Sequence, residues 1–237
     1  MNEHRYPGGE LELFAQATRW KAYVARVLRR HLRGDVLEVG AGLGATTAAL
    51  CDRSQETWVC LEPDPDLARR LAERIAGGDL PACCRAVQGS VADLPPDARF
   101  DAIAYIDVLE HIESDGEELA RVVRHLRPGG RLIVLAPAHP CLYSPFDAAI
   151  GHFRRYTRRS LARVVPAGLA EVTLRYLDSA GLVASAGNRL VLRRALPARA
   201  DIAVWDRLLV PLSRVVDPLL GFRVGRSLVG VWRAADA

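Results

Sequence analysis

The sequence predicts an α/β protein with a Rossmann-like, doubly wound sheet of seven mostly parallel strands and helices on both faces. Short apolar segments alternate with segments of helical spacing through the first 137 residues. This alternation is typical of a parallel sheet that is covered by helices. Ligands of such sheets bind at the carboxyl ends of the strands, so we expect the functional residues at that edge.

The predicted elements follow one another without internal repeats. Apolar residues recur at helical spacing from residue 11 to residue 32, and Gly34 ends this first helix. The predicted strands are residues 35–39, 58–62, 84–89, 100–107, 131–137, 172–178 and 226–232. The later predicted helices are residues 45–53, 63–78, 110–126, 158–165 (capped by Thr157) and 200–220, the last interrupted by Pro211 and Pro218.

Composition narrows the class of protein. Half of the 237 residues are hydrophobic, 25% are charged, and the formal net charge is +4. This is an ordinary globular composition, and the mild positive charge admits an anionic ligand without indicating nucleic acid. The five cysteines are odd in number and lack CxxC spacing, so we expect neither a disulfide framework nor a metal site.

The first residues and the hydropathy predict a cytoplasmic protein. Residues 1–14 are polar and acidic, unlike a signal peptide. We expect no stable membrane insertion, because no apolar run reaches the roughly twenty residues that cross a bilayer. Apolar residues and arginines in residues 200–220 leave a peripheral membrane contact open. A helix that covers the sheet, or a dimer interface, is the favoured interpretation of that segment.

A glycine-rich loop follows the first predicted strand. Gly40, Gly42 and Gly44 allow the backbone to approach a ligand, and the following helix directs its N–H groups toward it. The same residues satisfy the dinucleotide fingerprint, so the loop alone does not identify the ligand. Glu62, at the end of the second strand, is placed to bind a pair of ribose hydroxyls. Glu38 favours a ligand that is cationic here, because a carboxylate would repel a pyrophosphate; the alternative is a Glu that only caps backbone.

The chain resembles, in order, the motifs of class I S-adenosylmethionine-dependent methyltransferases. The acidic residue that holds the ribose in that family matches Glu62. The other motifs are EVGAGLG at residues 38–44, GSVADLP at 89–95, YIDVLEHI at 105–112 and LRPGGRLIVLAP at 126–137. The resemblance covers about residues 11–163, and it implies S-adenosyl-L-methionine as the cofactor and a small molecule as the methyl acceptor.

The resemblance also implies the residues that contact the cofactor. Trp20 and Lys21 match an aromatic–basic pair that often covers the cofactor in a bacterial subgroup of small-molecule methyltransferases. Trp20 could equally be an ordinary core residue between the helix and the sheet. The expected cofactor-binding residues are Trp20, Glu38, Gly40, Gly42, Glu62, Ser90, Val91 and Asp107.

Catalysis requires alignment of the acceptor with the methyl group and, for a hydroxyl or ammonium acceptor, a base. A D…GHxRRY segment follows the fifth strand, as in the same subgroup. We expect His152 to be the base with Asp147 as its orienting partner, and His111 to be a second candidate. The alternative is that these side chains only fix the loop. The expected substrate-binding residues are His139, Tyr143, Arg155 and Tyr156.

Beyond the sixth strand the sequence departs from the subgroup. Residues 176–190 lack the asparagine and the tryptophan pair that related sequences often carry there. The resemblance therefore implies methyl transfer, expected in secondary metabolism, without naming the acceptor. A non-methylating reaction such as cyclisation stays open. An RNA methyltransferase is disfavoured, because DVLE stands where a proline–aromatic catalytic tetrapeptide would be expected, and we expect no appended basic domain.

The chain is predicted to form one methyltransferase domain over residues 1–237. Residues 1–33 would cover the cofactor, residues 34–137 would bind it, and residues 138–237 would form a substrate-side cap, a lid before the last strand, and the closing strands. We expect a monomer or a homodimer with a small-molecule substrate and no nucleic-acid partner.

Overall fold

The computed structural model describes residues 14–52, 54–187 and 199–236. Its centre is one seven-stranded sheet in the order β3-β2-β1-β4-β5-β7-β6. Only β7 runs antiparallel to its neighbours. The strands are β1 (Gly34–Val39), β2 (Gln55–Glu62), β3 (Cys84–Gln88), β4 (Phe100–Ile106), β5 (Leu126–Pro137), β6 (Leu169–Leu177) and β7 (Ser227–Ala234). The predicted doubly wound, mostly parallel sheet is confirmed.

Helices flank the sheet in the expected alternation. They are α1 (Thr18–Leu28), α2 (Ala45–Leu50), α3 (Pro65–Ala76), α4 (Asp115–Val122), α5 (Pro145–Ala149), α6 (Arg158–Val164), α7 (Ser179–Gly187), α8 (Arg199–Val204) and α9 (Val210–Leu219). Two clusters of buried apolar residues lie beneath them. Alternation of side chains along each strand produces these two clusters, because successive residues point to opposite faces.

Local sequence explains where several helices begin. In α3, the Asp64 carboxylate accepts hydrogen bonds from the backbone N–H groups of Asp66 and Leu67, and Pro65 occupies the first turn. In α6, the predicted cap is confirmed, since the Thr157 side chain accepts a hydrogen bond from Ser160 N.

Two predicted helices differ from the structure. Helix 11–32 is shorter, because Ala17 has a non-helical ψ of 68° and α1 begins only at Thr18; residues 11–13 lie outside the described residues. Helix 110–126 is divided, because the chain leaves a 3₁₀ turn at Ile112 (φ −103°, ψ 116°) and α4 starts at Asp115. Residues 127–130, which precede the predicted fifth strand, belong to β5.

Residues 199–219 form one helical run rather than an interrupted helix. A π-helical segment, Trp205–Leu209, joins α8 to α9. Its wider turn precedes Pro211 and accommodates the missing N–H of the proline, while Pro218 lies near the helix end, where a missing donor disrupts little. One face packs on the core through Ile202, Trp205 and Val210, which confirms that this segment covers the sheet. None of the described helices is long and apolar enough to cross a membrane.

Buried aspartates attach the segment between β6 and β7 to the rest of the fold. Asp206 accepts the N–H of Trp20 at 2.8 Å and so caps α1. Asp217 accepts the Tyr23 hydroxyl at 2.8 Å and the N–H of Asp178 at 2.7 Å. Asp178 accepts the Trp205 indole N–H at 2.8 Å. These bonds hold the described parts of this segment, residues 178–187 and 199–226, at the carboxyl edge of the sheet. Their role as a lid stays a prediction.

Candidate active site

A cavity of about 880 Å³ opens at the carboxyl ends of β1, β4 and β5. This is where strand order reverses between β1 and β4, the usual ligand position in doubly wound sheets. The volume lies in the range of small-molecule pockets, about 300–1,000 Å³. The predicted site residues that line it are Trp20, Gly40, Gly42, Asp107, His111, Tyr143, Asp147, His152 and Arg155.

The glycine loop forms one wall of the cavity. Gly40 and Gly42 have φ of 68° and 55°, a conformation that glycine adopts without strain. A Cβ atom at Gly40 would lie 2.7 Å from Val108 Cγ2, so the loop has no room for a side chain there. The backbone is thus brought against the cavity, as the sequence predicts.

Glu62 and the segment after β3 lie beside the loop but do not line the cavity. The Glu62 carboxylate accepts the N–H of Gly42 at 2.7 Å and that of Asp64 at 3.0 Å. Ser90 is exposed, and its N–H and hydroxyl both donate to Asp93 at 2.8 and 2.7 Å. Val91 is buried. Their roles at the ribose and adenine stay predictions.

Glu38 does not line the cavity, and its expected contact with a cationic group stays a prediction. Its carboxylate is buried under the sheet edge and accepts the Thr47 hydroxyl at 2.6 Å and the Trp58 indole N–H at 2.8 Å. Burial raises the pKa of Glu38 to about 7, although both hydrogen bonds favour the charged form. Glu38 therefore fixes β1 against α2 and β2.

Asp107 is the carboxylate that faces the cavity next to the glycine loop. It follows β4 with a φ of 55° and is exposed on the cavity wall. Loss of hydration within the surrounding protein raises the pKa of Asp107 to about 6. The charges of His152, Arg226 and Lys21 act in the opposite direction and favour the charged carboxylate. Burial lowers the pKa of Lys21, and the Asp107 charge opposes that shift.

The predicted catalytic base, His152, and its orienting partner, Asp147, lie together on the opposite wall of the cavity. His152 Nδ1 lies 2.9 Å from Asp147 Oδ1. The Asp147 carboxylate also accepts Arg155 Nε at 2.8 Å and Nη2 at 2.9 Å, and it is fully buried. These contacts hold the pKa of Asp147 well below its usual range, although burial alone would raise it. The three residues thus form a fixed, charged group whose imidazole borders the cavity.

Glu110 was not anticipated from the sequence. It is fully buried at the cavity wall, and its Oε1 lies 3.8 Å from His152 Nε2. Burial and the charge of Asp107 raise the pKa of its carboxyl. His111 is beside it, and its ring meets that of His152 edge to face at 4.5 Å between centroids. Burial lowers the pKa of His111 to about 4, so its imidazole is neutral near pH 7.

Two predicted substrate residues lie elsewhere. Tyr156 is buried in the core, and its hydroxyl donates to Asp115 Oδ2 at 2.7 Å. His139 stacks on Tyr176 with ring centroids 4.8 Å apart, and its Nε2 lies 3.0 Å from the Gly225 carbonyl oxygen. Neither lines the cavity. Their roles in substrate binding stay predictions.

Tyr143 remains on the cavity wall, and its hydroxyl donates to the His152 carbonyl oxygen at 2.6 Å. Trp20 belongs to the core cluster and also lines the cavity, and its role in covering the cofactor stays a prediction. Sequence reasoning missed Trp205 and Arg226, which cover the cavity from the last segment. The Arg226 guanidinium lies 4.3 Å from the Trp205 ring centroid.

Comparisons with known proteins agree with this geometry. Residues 37–134 match the family described as a methyltransferase domain. The demethylmenaquinone methyltransferase of Tropheryma whipplei (strain Twist) is 29% identical over 161 residues, which cover 64% of this chain and 59% of that protein. This chain therefore spans less than two thirds of that relative.

Solved structures show the same fold. A geranyl diphosphate methyltransferase, solved in complex with SAM, matches with a TM-score of 0.63 at 15% identity, over 96% of this chain and 90% of that chain. The [4+2]-cyclase SpnF matches with a TM-score of 0.60 at 18% identity, over 93% and 82% of the two chains.

The cradle fits S-adenosyl-L-methionine, the cofactor of this domain family. The glycine loop offers backbone without side chains, and the adjoining cavity carries a carboxylate, Asp107, suited to a cationic end. The match in sequence and the match in fold fall on the same strands. Residues 37–134, the part of the chain that matches the methyltransferase-domain family, run from β1 into β5 and include the glycine loop and Asp107.

Proposed function

We propose that the protein transfers a methyl group from S-adenosyl-L-methionine to an oxygen, nitrogen or carbon atom of a small molecule, in secondary metabolism. One observation carries the proposal. A single cavity joins the glycine loop to the group formed by His152, Asp147 and Arg155. A cofactor held at the first wall and an acceptor at the second would meet without solvent between them, which is the main requirement of the reaction.

The cofactor would be held by residues of the first wall. The loop at Gly40 and Gly42 would place its backbone against the cofactor. Glu62 would bind the ribose, and Asp107 would face the cationic end. When bound, S-adenosyl-L-methionine supplies an electrophilic methyl group on a sulfonium sulfur. Trp20 and its neighbour Trp205, whose ring centroids are 5.7 Å apart, would cover it and exclude water.

The second wall would handle the proton of the acceptor. With Asp147 holding the Nδ1 proton of His152, Nε2 is the basic nitrogen that can receive a proton from an acceptor hydroxyl or ammonium. The resulting imidazolium would be stabilised by Asp147. Arg155 fixes the carboxylate so that the imidazole keeps one orientation. The matching D…GHxRRY segment supports a role of this loop in closing the site.

The test is conversion of the cofactor. We expect purified protein to bind S-adenosylhomocysteine in isothermal titration calorimetry and to convert S-adenosylmethionine when acceptors suggested by neighbouring genes are added. A methylated product of equal amount should appear by mass spectrometry. If the protein binds S-adenosylmethionine and consumes the acceptor but leaves the S-adenosylmethionine unconverted, that result would contradict methyl transfer.

That last outcome would favour the second candidate, a cyclisation on the same fold. The observation behind it is the likeness to the [4+2]-cyclase SpnF. In that case the acceptor would rearrange to an isomer of unchanged mass, and the cofactor would be left intact.

A further inference from the structure

Three side chains at the second wall form a cluster that the proposed function does not fully use. Glu110, His111 and His152 each direct one oxygen or nitrogen atom to a common point, and these atoms lie within 4.8 Å of one another. We call this set the Glu–His–His cluster. Glu110 and His111 come from the 3₁₀ turn after β4, and His152 comes from the loop after α5. Cysteine spacing gave no sign of this cluster, because it contains no cysteine and because His152 is distant in sequence from Glu110 and His111.

Glu110 requires an explanation that the protein alone does not provide. Its side chain is 1% exposed, yet neither carboxylate oxygen has a hydrogen-bond partner within the described residues. Ionisation of a buried carboxyl group without a partner is costly, which is why the pKa of Glu110 is raised, and buried carboxyl groups that are charged are paired or coordinate metals. The carboxylate lies on the cavity wall next to two imidazoles, so a ligand there would meet all three groups at once.

The orientation of His152 is that of a metal ligand. Metal-binding imidazoles almost always direct their second nitrogen to a carboxylate or carbonyl, which fixes ring and tautomer. Here Nδ1 is 2.9 Å from Asp147 Oδ1, and Asp147 is fixed in turn by Arg155. Nε2 is thereby left on the side of Glu110, at 3.8 Å from Oε1. An ion between these two atoms would draw both onto itself.

We propose that the Glu–His–His cluster binds a divalent transition-metal ion of the zinc type. Two imidazoles and one carboxylate are a ligand set of catalytic zinc sites, which keep a further position open. Magnesium would bind less well, since it prefers oxygen ligands. The open position faces the cavity, and an oxygen of the acceptor would occupy it.

This inference rests on the proposed methyl transfer and sharpens it. An ion at the cluster selects acceptors that carry a hydroxyl, such as phenols or alcohols, because the bound hydroxyl loses its proton at a lower pH. The oxygen keeps the electron pair of its O–H bond, and the proton leaves to solvent when the hydroxyl binds the ion. The oxygen then uses a lone pair to bond to the methyl carbon, while the bond from that carbon to the sulfonium sulfur breaks, its electron pair goes to sulfur, and S-adenosylhomocysteine leaves. In the metal-loaded protein His152 Nε2 is then a ligand, and the ion replaces it as the means of deprotonation.

The binding test needs a variant in which a second possible metal site, made of thiols, is disrupted. Cys51, Cys83 and Cys84 also lie within reach of a single ion, so zinc titrations should use a Cys83→Ser chain. We expect that full-length chain to bind one Zn²⁺ ion in isothermal titration calorimetry and to give the visible bands of a Co²⁺ complex without thiolate charge transfer. Mg²⁺ should give a far weaker signal.

Variants in the same background locate the ion. Glu110→Gln should lower the Zn²⁺ affinity by more than about 100-fold, and Asp147→Asn by about 10- to 100-fold, the usual effect of losing an outer carboxylate. His139→Gln is the matched control, because that histidine stacks on Tyr176 away from the cavity. The Zn²⁺ affinity of this variant should be unchanged. Absence of Zn²⁺ binding, or equal affinity in Glu110→Gln, would overturn the metal site.

Activity separates this inference from the function on which it rests. Loss of methyl transfer after treatment with dipicolinate, and its return with Zn²⁺ or Co²⁺, would support the ion as the partner of the hydroxyl. Full activity in the chelated protein would overturn that role and leave His152 as the base. Zn²⁺ binding with methyl transfer only to nitrogen or carbon acceptors would overturn the selection of hydroxyl acceptors and leave the proposed function standing. Zn²⁺ binding without methyl transfer to any acceptor would instead refute the proposed function.

Discussion

His152 Nδ1 lies 2.9 Å from Asp147 Oδ1, and this contact fixes which imidazole nitrogen faces the cavity. Asp147→Asn removes the charge that holds both His152 and Arg155. We expect turnover to fall by about 10²- to 10⁴-fold, the usual contribution of an oriented acid–base group. Binding of S-adenosylhomocysteine, measured by calorimetry, should change little. Ser144→Ala, which removes the 2.8 Å hydrogen bond from Ser144 Oγ to the same carboxylate together with the side-chain cap of α5 and leaves the Asp147 charge in place, is the control. Unchanged turnover in Asp147→Asn would contradict the orienting role.

Gly40→Ala should damage the cofactor cradle. Its φ of 68° strains any other residue, by roughly 1–2 kcal/mol, and the new Cβ would lie 2.7 Å from Val108 Cγ2. We expect lower affinity for S-adenosylhomocysteine and a lower melting temperature. Gly78→Ala is a matched control, because Gly78 has a φ of 81° but no described heavy atom within 4 Å of its Cβ position. Equal affinity losses in the two variants would show that backbone strain, and not the close approach at Val108, is responsible.

Glu38→Gln should change how stability depends on pH. The folded protein holds the Glu38 proton up to a pKa of about 7, whereas the ordinary value is 4.5. Between these values the folded state binds more protons than the unfolded state, so this group's stabilisation is complete below pH 4.5 and is lost as the pH rises through 7. Glu38→Gln lacks this loss, and it should gain about 3 kcal/mol of unfolding free energy relative to the natural chain over that window. Urea titrations across the window measure the difference; a difference that stays constant with pH would contradict the buried position.

Tyr156→Phe should affect stability and not the acceptor. The buried hydroxyl donates to Asp115 Oδ2 at 2.7 Å, and its loss should cost about 1.5–3 kcal/mol of unfolding free energy. KM for the acceptor should stay the same. Tyr143→Phe is the contrasting variant, because its hydroxyl supports the His152 backbone at the cavity wall, and it should change turnover or KM. A raised KM in Tyr156→Phe at unchanged stability would return that residue to the substrate site.

Local patterns predicted most of the elements correctly. The glycine loop, β4 and Thr157 were placed by short-range rules: apolar alternation, glycine after a strand, and a capping hydroxyl. The helix at residues 110–126 was wrong, because apolar spacing does not reveal that the chain must turn at Ile112. The site segment after β5 was located correctly, but the direction of individual side chains within it was not.

The sequence by itself determined the fold class, the loop that approaches the cofactor, and the pair His152 and Asp147, because each depends on residues close together in the chain. Tertiary structure alone decided that Glu38 and Tyr156 are buried against partners far away in sequence. It also decided that Glu110 faces His152 from another loop. The physical reason is the same in each case: the packing of distant segments settles which side of a strand or loop is covered, and local spacing does not encode it.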